Sequence, residues 1–131
     1  MAFKLHVVDG GLVPGMEYLP VGAITPKAGL ALVQKNGNLD IAAGADKPSY
    51  ISMTERKAPC AAGEEIPVIR VSGNIIFETT NQADFAGIRL GEKVTVSADG
   101  LSVTATKASG VAEVVYIGGN AVGSVIRVRF A

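Results

Sequence analysis

Residues 92–106 read Glu-Lys-Val-Thr-Val-Ser-Ala-Asp-Gly-Leu-Ser-Val-Thr-Ala-Thr, and this stretch decides the fold class. Its Asp99-Gly100 step is favoured in a two-residue type I′ turn, which joins two antiparallel strands. That register pairs Ala98 with Leu101, Val96 with Val103 and Val94 with Ala105, and it places all six on one face. The other face is polar and carries Lys93, Thr95, Ser97, Ser102, Thr104 and Thr106. Alternation with a period of two therefore predicts a half-buried antiparallel sheet.

Similar hairpins are expected on both sides of this one. Asn36-Gly37 joins two strands in a register that pairs Leu32 with Ile41 and Gln34 with Leu39. Ser72-Gly73 predicts a third hairpin or a bulge between 66–71 and 74–79, and a short strand is expected at 50–53. Gly118-Gly119-Asn120 joins 111–117 to 122–130 in a final hairpin, with Ile126, Val128 and Phe130 on one face and Arg127 and Arg129 on the other.

About ten short strands at this spacing indicate an all-β fold. The expected architecture is a small β-sandwich or a partly open β-barrel of short antiparallel hairpins. At most one short helix is expected, near residues 79–86, with Thr79 as the N-cap and Gln82 completing a capping box.

The prolines divide the chain into two parts, since all six lie within the first 67 residues. Residues 1–20 are interrupted by Gly10-Gly11 and Pro14-Gly15, and they predict an extended N-terminal arm, followed by a single β domain over residues 21–131. The apolar side chains of the arm either fold back on this domain or dock on a partner. The candidate partner interface consists of Phe3, Leu5, Tyr18 and Leu19.

Composition narrows the classes of function. Twelve basic residues balance twelve acidic ones, so no net field favours nucleic acid or an anionic membrane as a partner. No apolar stretch approaches the length of a spanning helix, and the N-terminus lacks the apolar region of a cleaved signal. Cys60 is the one cysteine, which excludes an intrachain disulfide and fits assembly in a reducing cytoplasm.

The sequence offers little catalytic chemistry. A nucleophile needs an adjacent base, and the one pair available is Cys60 with His6. A structural loop cysteine is the simpler interpretation, because Ala58-Pro59 and Ala61-Ala62-Gly63 around Cys60 offer no orienting residue and no helix N-terminus. One His and one Cys cannot build a zinc site, and Gly118–Gly123 lacks the Lys-Ser/Thr ending of a phosphate loop. We therefore expect no catalytic residues, no metal and no cofactor.

Four stretches carry a family resemblance: 36–41 with 46–51, 63–71, 90–101 and 124–130. Together they resemble the small all-β head decoration proteins of tailed bacteriophages, over roughly residues 25 to 131. The resemblance implies a structural protein of the virion that binds the outside of the capsid. It also implies assembly in the host cytoplasm, the major capsid protein as partner, and a homo-oligomer, with a trimer favoured. No residue-level site carries over.

Two other functions remain open on the residues alone. One is a phage tail or surface module that binds host carbohydrate through its hairpin loops, although the chain has no Trp and only three Tyr. The other is an enzyme that uses Cys60 and His6.

Overall fold

The computed structural model describes residues 2–9 and 13–130, and within these ranges the chain forms ten strands and no helix. Residues 1, 10–12 and 131, which fall in the predicted arm and at the end of the predicted β domain, lie outside the described residues. The strands are β1 (Lys4–Val8), β2 (Met16–Pro20), β3 (Ala31–Lys35), β4 (Asn38–Ile41), β5 (Tyr50–Ser52), β6 (Glu65–Arg70), β7 (Ile75–Thr80), β8 (Lys93–Val94), β9 (Ala112–Ile117) and β10 (Val125–Arg129).

These strands build two antiparallel sheets of five strands each. Sheet A has the order β1-β7-β10-β9-β8, and sheet B has the order β2-β6-β5-β3-β4. The sheets are not closed into a barrel, and the molecule is a small β-sandwich. The predicted all-β class is confirmed.

The main core lies between the two sheets. Sheet A contributes its large aromatic side chains, and Phe130 packs edge-to-face against Phe3 with ring centroids 5.3 Å apart. Phe77 lies 5.8 Å from the same Phe130 ring. Sheet B contributes Ala31, Ile51 and Ile69 to this core. The contact between Phe3 and Phe130 thus holds the two ends of the described chain together.

A second core lies on the far side of sheet B. Successive residues of a strand point to opposite faces, so Leu32 and Tyr50 point away from sheet A while Ala31 and Ile51 point toward it. Loop residues such as Cys60 cover this second core. The central part of sheet B, in β3, β5 and β6, is consequently buried on both faces, which explains why these strands are more continuously apolar than simple alternation predicts.

The Asn36-Gly37 hairpin forms as predicted. Leu32 pairs with Ile41 and Gln34 pairs with Leu39. Both turn residues have positive φ, 52° at Asn36 and 84° at Gly37, as a type I′ turn requires.

The hairpin at 92–106 forms with a different turn. Val96 pairs with Val103 as predicted, but only Gly100 of the two turn residues has positive φ, so the type I′ assignment is wrong. The Asp99 carboxylate accepts hydrogen bonds from the Ser97 hydroxyl at 2.5 Å and the Leu101 N–H at 3.1 Å. These bonds stabilise a longer connection in which the Gly100 N–H donates to the Ser97 carbonyl at 3.0 Å.

This hairpin also joins the two sheets, so its polar face is less exposed than expected. The Ala31 N–H of sheet B donates to the Gly100 carbonyl at 2.9 Å, and the Val103 N–H donates to the carbonyl of Thr80 in sheet A at 3.1 Å. Ser97 and Ser102 are buried, and their hydroxyls bond to each other at 3.0 Å. The expectation of a half-buried ribbon is therefore wrong here, while Ala98, expected on the apolar face, is exposed.

Two candidate local elements do not form. The strands on either side of Ser72-Gly73 do not pair as a hairpin, because β6 belongs to sheet B and β7 to sheet A. The candidate helix at 79–86 does not form either, because Thr79 is buried in β7 and pairs with Ile126. Pairing with a distant strand overrides the local capping signal.

The last two strands follow the sequence pattern. β9 and β10 pair antiparallel, with an irregularity between Arg127 and Val128. Ile126, Val128 and Phe130 are buried, while Arg127 and Arg129 lie half-buried on the opposite face.

The region expected to be an arm supplies one edge strand to each sheet. β1 pairs with β7 at the edge of sheet A, and its register shifts between Leu5 and Val7. β2 pairs with β6 at the edge of sheet B. β1 and β2, although neighbours in the sequence, therefore belong to different sheets.

Candidate binding surface

An apolar cleft of about 460 Å³ opens between the two sheets beside β1. Its volume falls within the range of ligand-binding clefts, roughly 300 to 1,000 Å³. The residues that line it come from five separate segments of the chain. They are Ala2, Phe3, Lys4, Leu5, Ala28, Gly29, Ile51, Ser52, Met53, Ile69 and Phe77.

Backbone hydrogen bonds fix the wall of the cleft where residues 2–3 meet sheet B. The Phe3 N–H donates to the Gly29 carbonyl at 3.0 Å, and the Gly29 N–H donates to the Ser52 carbonyl at 2.8 Å. Gly29 has a φ of +83°, and a Cβ at this position would lie 2.5 Å from the Ala2 Cβ and from the Phe3 carbonyl oxygen. Only glycine fits both the conformation and the space.

Exposed apolar side chains continue the cleft across sheet B. Met16 pairs with Ile69, which lies in the cleft lining, and Tyr18 pairs with Pro67. Met53 also lies beside Pro67, since its N–H donates to the Pro67 carbonyl at 2.9 Å. Met16, Tyr18 and Met53 are 59%, 62% and 46% exposed. We call the cleft together with Met16, Tyr18, Met53 and Pro67 the cleft surface.

The cleft surface is suited to a partner protein that binds by burying apolar surface area. Aromatic and methionine side chains are enriched at protein interfaces, and the flexible thioether of methionine adapts to varied partners. Contiguous exposed apolar residues mark interaction sites more often than scattered ones do.

The four residues predicted as a partner interface fall in different places. Phe3 and Leu5 line the cleft, and Tyr18 lies on the cleft surface. Leu19 points to the opposite face of β2 and packs against the second core. Sequence reasoning missed Met53 and Ile69, which lie in separate strands or at strand ends and come beside β1 only in the folded sheets.

A second, polar cavity of about 410 Å³ lies on sheet B and is lined by Gln34, Lys47, Pro48, Ser49, Tyr50, Arg70 and Val71. Arg70 donates to both carboxylate oxygens of Glu17, at 3.1 and 3.3 Å. These hydrogen bonds raise the pKa of Arg70. The guanidinium also lies 5.3 Å from the centre of the buried Tyr50 ring. The cavity therefore presents hydrogen-bonding groups but no exposed aromatic face.

The structure does not bring Cys60 and His6 together. Cys60 is buried in the second core, where the Arg56 guanidinium lies 3.5 Å from its sulfur. His6 lies on β1 in sheet A, with its Nδ1 3.9 Å from the Glu78 carboxylate. Within residues 2–9 and 13–130, no group of three or more His, Cys, Asp or Glu side chains could hold a metal ion.

Comparison with known proteins finds no matching family model, no matching curated protein and no matching solved structure. In the described part of the chain, no helix has the length and apolar character needed to cross a membrane.

Proposed function

We propose that the chain is a structural virion protein that binds the outside of a tailed-bacteriophage capsid and stabilises the shell. The observation that carries this proposal is the cleft surface, which offers a partner an apolar cleft of about 460 Å³ and a continuous exposed rim. The resemblance of four sequence stretches to head decoration proteins supplies the identity of the partner, the major capsid protein.

The proposed mechanism is mass action through many equivalent contacts. A protein that binds the assembled shell and not its separated subunits stabilises the shell by its binding free energy at each site. Because the same contact is repeated over the whole shell, a modest binding free energy at each site adds up to a large stabilisation. Self-association of the decoration protein, with a trimer favoured, would link contacts on neighbouring capsid subunits.

Co-sedimentation with virus-like particles of the cognate major capsid protein tests this proposal. We expect the purified chain to pellet with the particles at saturable occupancy and to raise their melting temperature. A chain that stays in the supernatant at micromolar concentration, with particle melting unchanged, would contradict the proposal. Substitutions on the cleft surface give the matched test of location described in the Discussion.

The polar cavity supports a second candidate, a non-enzymatic phage tail or surface module that binds host carbohydrate. Gln34, Ser49 and Arg70 offer donors and acceptors to sugar hydroxyls. The cavity lacks an exposed aromatic platform, because Tyr50 is buried beneath Arg70. A glycan array separates the two functions: selective glycan binding that is lost in Arg70→Ala would favour the second.

A further inference from the structure

Sheet B extends beyond the edge of sheet A. Directly paired residues of adjacent strands point to the same face, so Met16 shares the face of Ile69, which points toward sheet A. Tyr18 lies on this face as well, yet both Met16 and Tyr18 are largely exposed. Sheet A ends at β1, and no strand among the described residues covers them.

The edge at which sheet A ends is open. β1 pairs with β7 along one side, and no described residue pairs with the other side of Lys4–Val8. An open strand edge carries backbone donors and acceptors that need polar partners. The cleft beside it is lined mostly by apolar residues, so the side chains that fill it should be apolar as well. An extended strand meets both requirements at once, because its backbone bonds to the edge while alternate side chains enter the cleft.

The charges along β1 indicate which side chains the added strand should carry at its outward-facing positions. Lys4 pairs in register with Glu78 on the outer face of sheet A. The Glu78 carboxylate instead accepts a hydrogen bond from the Arg127 Nε at 3.0 Å and lies 3.9 Å from His6. Lys4 has no ion pair within the described residues. A strand added beside β1 would therefore be favoured by acidic side chains on its outward positions.

We infer that the open edge of β1 accepts a partner segment in which apolar and acidic residues alternate, and that this segment becomes a sixth strand of sheet A. Its apolar side chains cover Met16, Tyr18 and Met53, and its acidic side chains pair with Lys4. The inference rests on the proposed function only for the source of the segment, the capsid subunit. A second copy of β1 is a poor occupant because it brings a second Lys4 toward the first.

Blocked synthetic peptides test this inference directly. The probe is Glu-Val-Glu-Val-Glu-Val-Glu, with a permuted peptide of the same composition, Val-Val-Val-Glu-Glu-Glu-Glu, as its control. Affinity is measured by fluorescence anisotropy, and the site is located by NMR shifts of the Leu5, Ile69 and Phe77 amides. We expect the alternating peptide to bind more tightly than the permuted one and to shift these three amides.

Charge reversal supplies the second arm. Lys4→Glu should weaken binding of the alternating acidic peptide about tenfold. The same variant should instead bind the basic peptide Lys-Val-Lys-Val-Lys-Val-Lys. Lys57→Glu, which changes an exposed loop residue with the same charge, should leave both affinities unchanged. Equal binding of the permuted peptide, the absence of peptide binding, or an unaffected Lys4→Glu variant would overturn the inference. Concentration-dependent dimerisation through the same amides would overturn it in favour of a second copy.

Virus-like particles separate this inference from the proposed function. If the Lys4→Glu variant binds particles as tightly as the unchanged chain, the inference is overturned and the proposed function is kept. Peptide binding by a chain that does not bind particles would overturn the function and keep the inference.

Discussion

Phe3 and Gly29 are joined backbone to backbone, with the Phe3 N–H donating to the Gly29 carbonyl at 3.0 Å. The same contact leaves no room for a side chain at position 29. It positions Phe3 against Phe130 at the end of the apolar cleft. One glycine therefore determines how the first strand approaches sheet B, and this approach can be tested.

We expect Gly29→Ala to lower the free energy of unfolding by about 1–3 kcal/mol. The added Cβ would lie 2.5 Å from two atoms of residues 2 and 3, at a φ of +83° that L residues rarely adopt. Urea denaturation measures the loss, and hydrogen exchange of the Lys4–Val8 amides should quicken. Gly73→Ala is the control, since a Cβ added at position 73 would meet no atom within 4 Å. Equal stability of the two variants would contradict this account.

We expect Tyr18→Ser and Met53→Ser each to weaken particle binding while folding is retained. Both side chains are exposed on the cleft surface, so the free energy of unfolding should change by no more than about 0.5 kcal/mol. Loss of a central apolar contact should raise the dissociation constant about tenfold or more. Val122→Ser is the matched control, because Val122 is 66% exposed in the β9–β10 connection. Weaker binding by the control alone would place the interface elsewhere.

The Asn81 side chain bonds to two connections, the one that follows β7 and the one between β9 and β10. Its amide nitrogen donates to the carbonyls of Ala83 and Asn120, at 2.9 and 3.0 Å, and its oxygen accepts from the Ser124 N–H at 2.8 Å. Asn81 is 2% exposed, so its removal leaves buried polar groups without partners. We expect Asn81→Ala to cost about 2–3 kcal/mol by chemical denaturation. Asn120→Ala, which changes an exposed side chain, should be nearly neutral; a similar loss there would contradict the prediction.

Asp99 should make stability depend on acid pH. The hydrogen bond from the Ser97 hydroxyl lowers the pKa of Asp99, burial opposes this shift, and the Leu101 N–H adds to it. A pKa lowered by folding contributes stability that is present above the unfolded pKa and is lost as pH falls through the folded one. With an ordinary Asp pKa of about 3.9, the loss falls below about pH 4.

The measurement compares the chain with its Asp99→Asn variant by urea denaturation at several pH values. The variant should be less stable by about 1 kcal/mol at neutral pH, a value discounted for solvent exposure. The difference should shrink below about pH 4. Asp9→Asn is the control, because it neutralises an exposed carboxylate just beyond the end of β1. A difference that is constant across this range would show that the Asp99 charge contributes nothing.

Local patterns predicted the local parts of the fold. Asn36-Gly37 fixes its hairpin because the two residues that adopt positive φ also set the pairing on either side. The pairing of Val96 with Val103 was predictable for the same reason. The turn between them was not, because the side chains of Ser97 and Asp99 provide a competing set of hydrogen bonds.

The sequence pattern did not predict which strands pair when they are far apart in the chain. Alternation shows that β6 and β7 have a buried face, but it does not say that they enter different sheets. Thr79 carries a good capping signal, and its pairing with Ile126 overrides that signal. The cleft surface was predictable only in its β1 and β2 residues, because Met53 and Ile69 reach it through sheet pairing.

The placement of β1 also has a consequence during synthesis. β1 leaves the ribosome well before its partner β7, which begins at Ile75. Sheet B can be completed once Arg70 has emerged, since its strands all lie between Met16 and Arg70. At translation rates of roughly 5 to 20 residues per second, Leu5 is made several seconds before Phe77, its partner in β7. β1 therefore joins its own sheet only after all five strands of sheet B have been made.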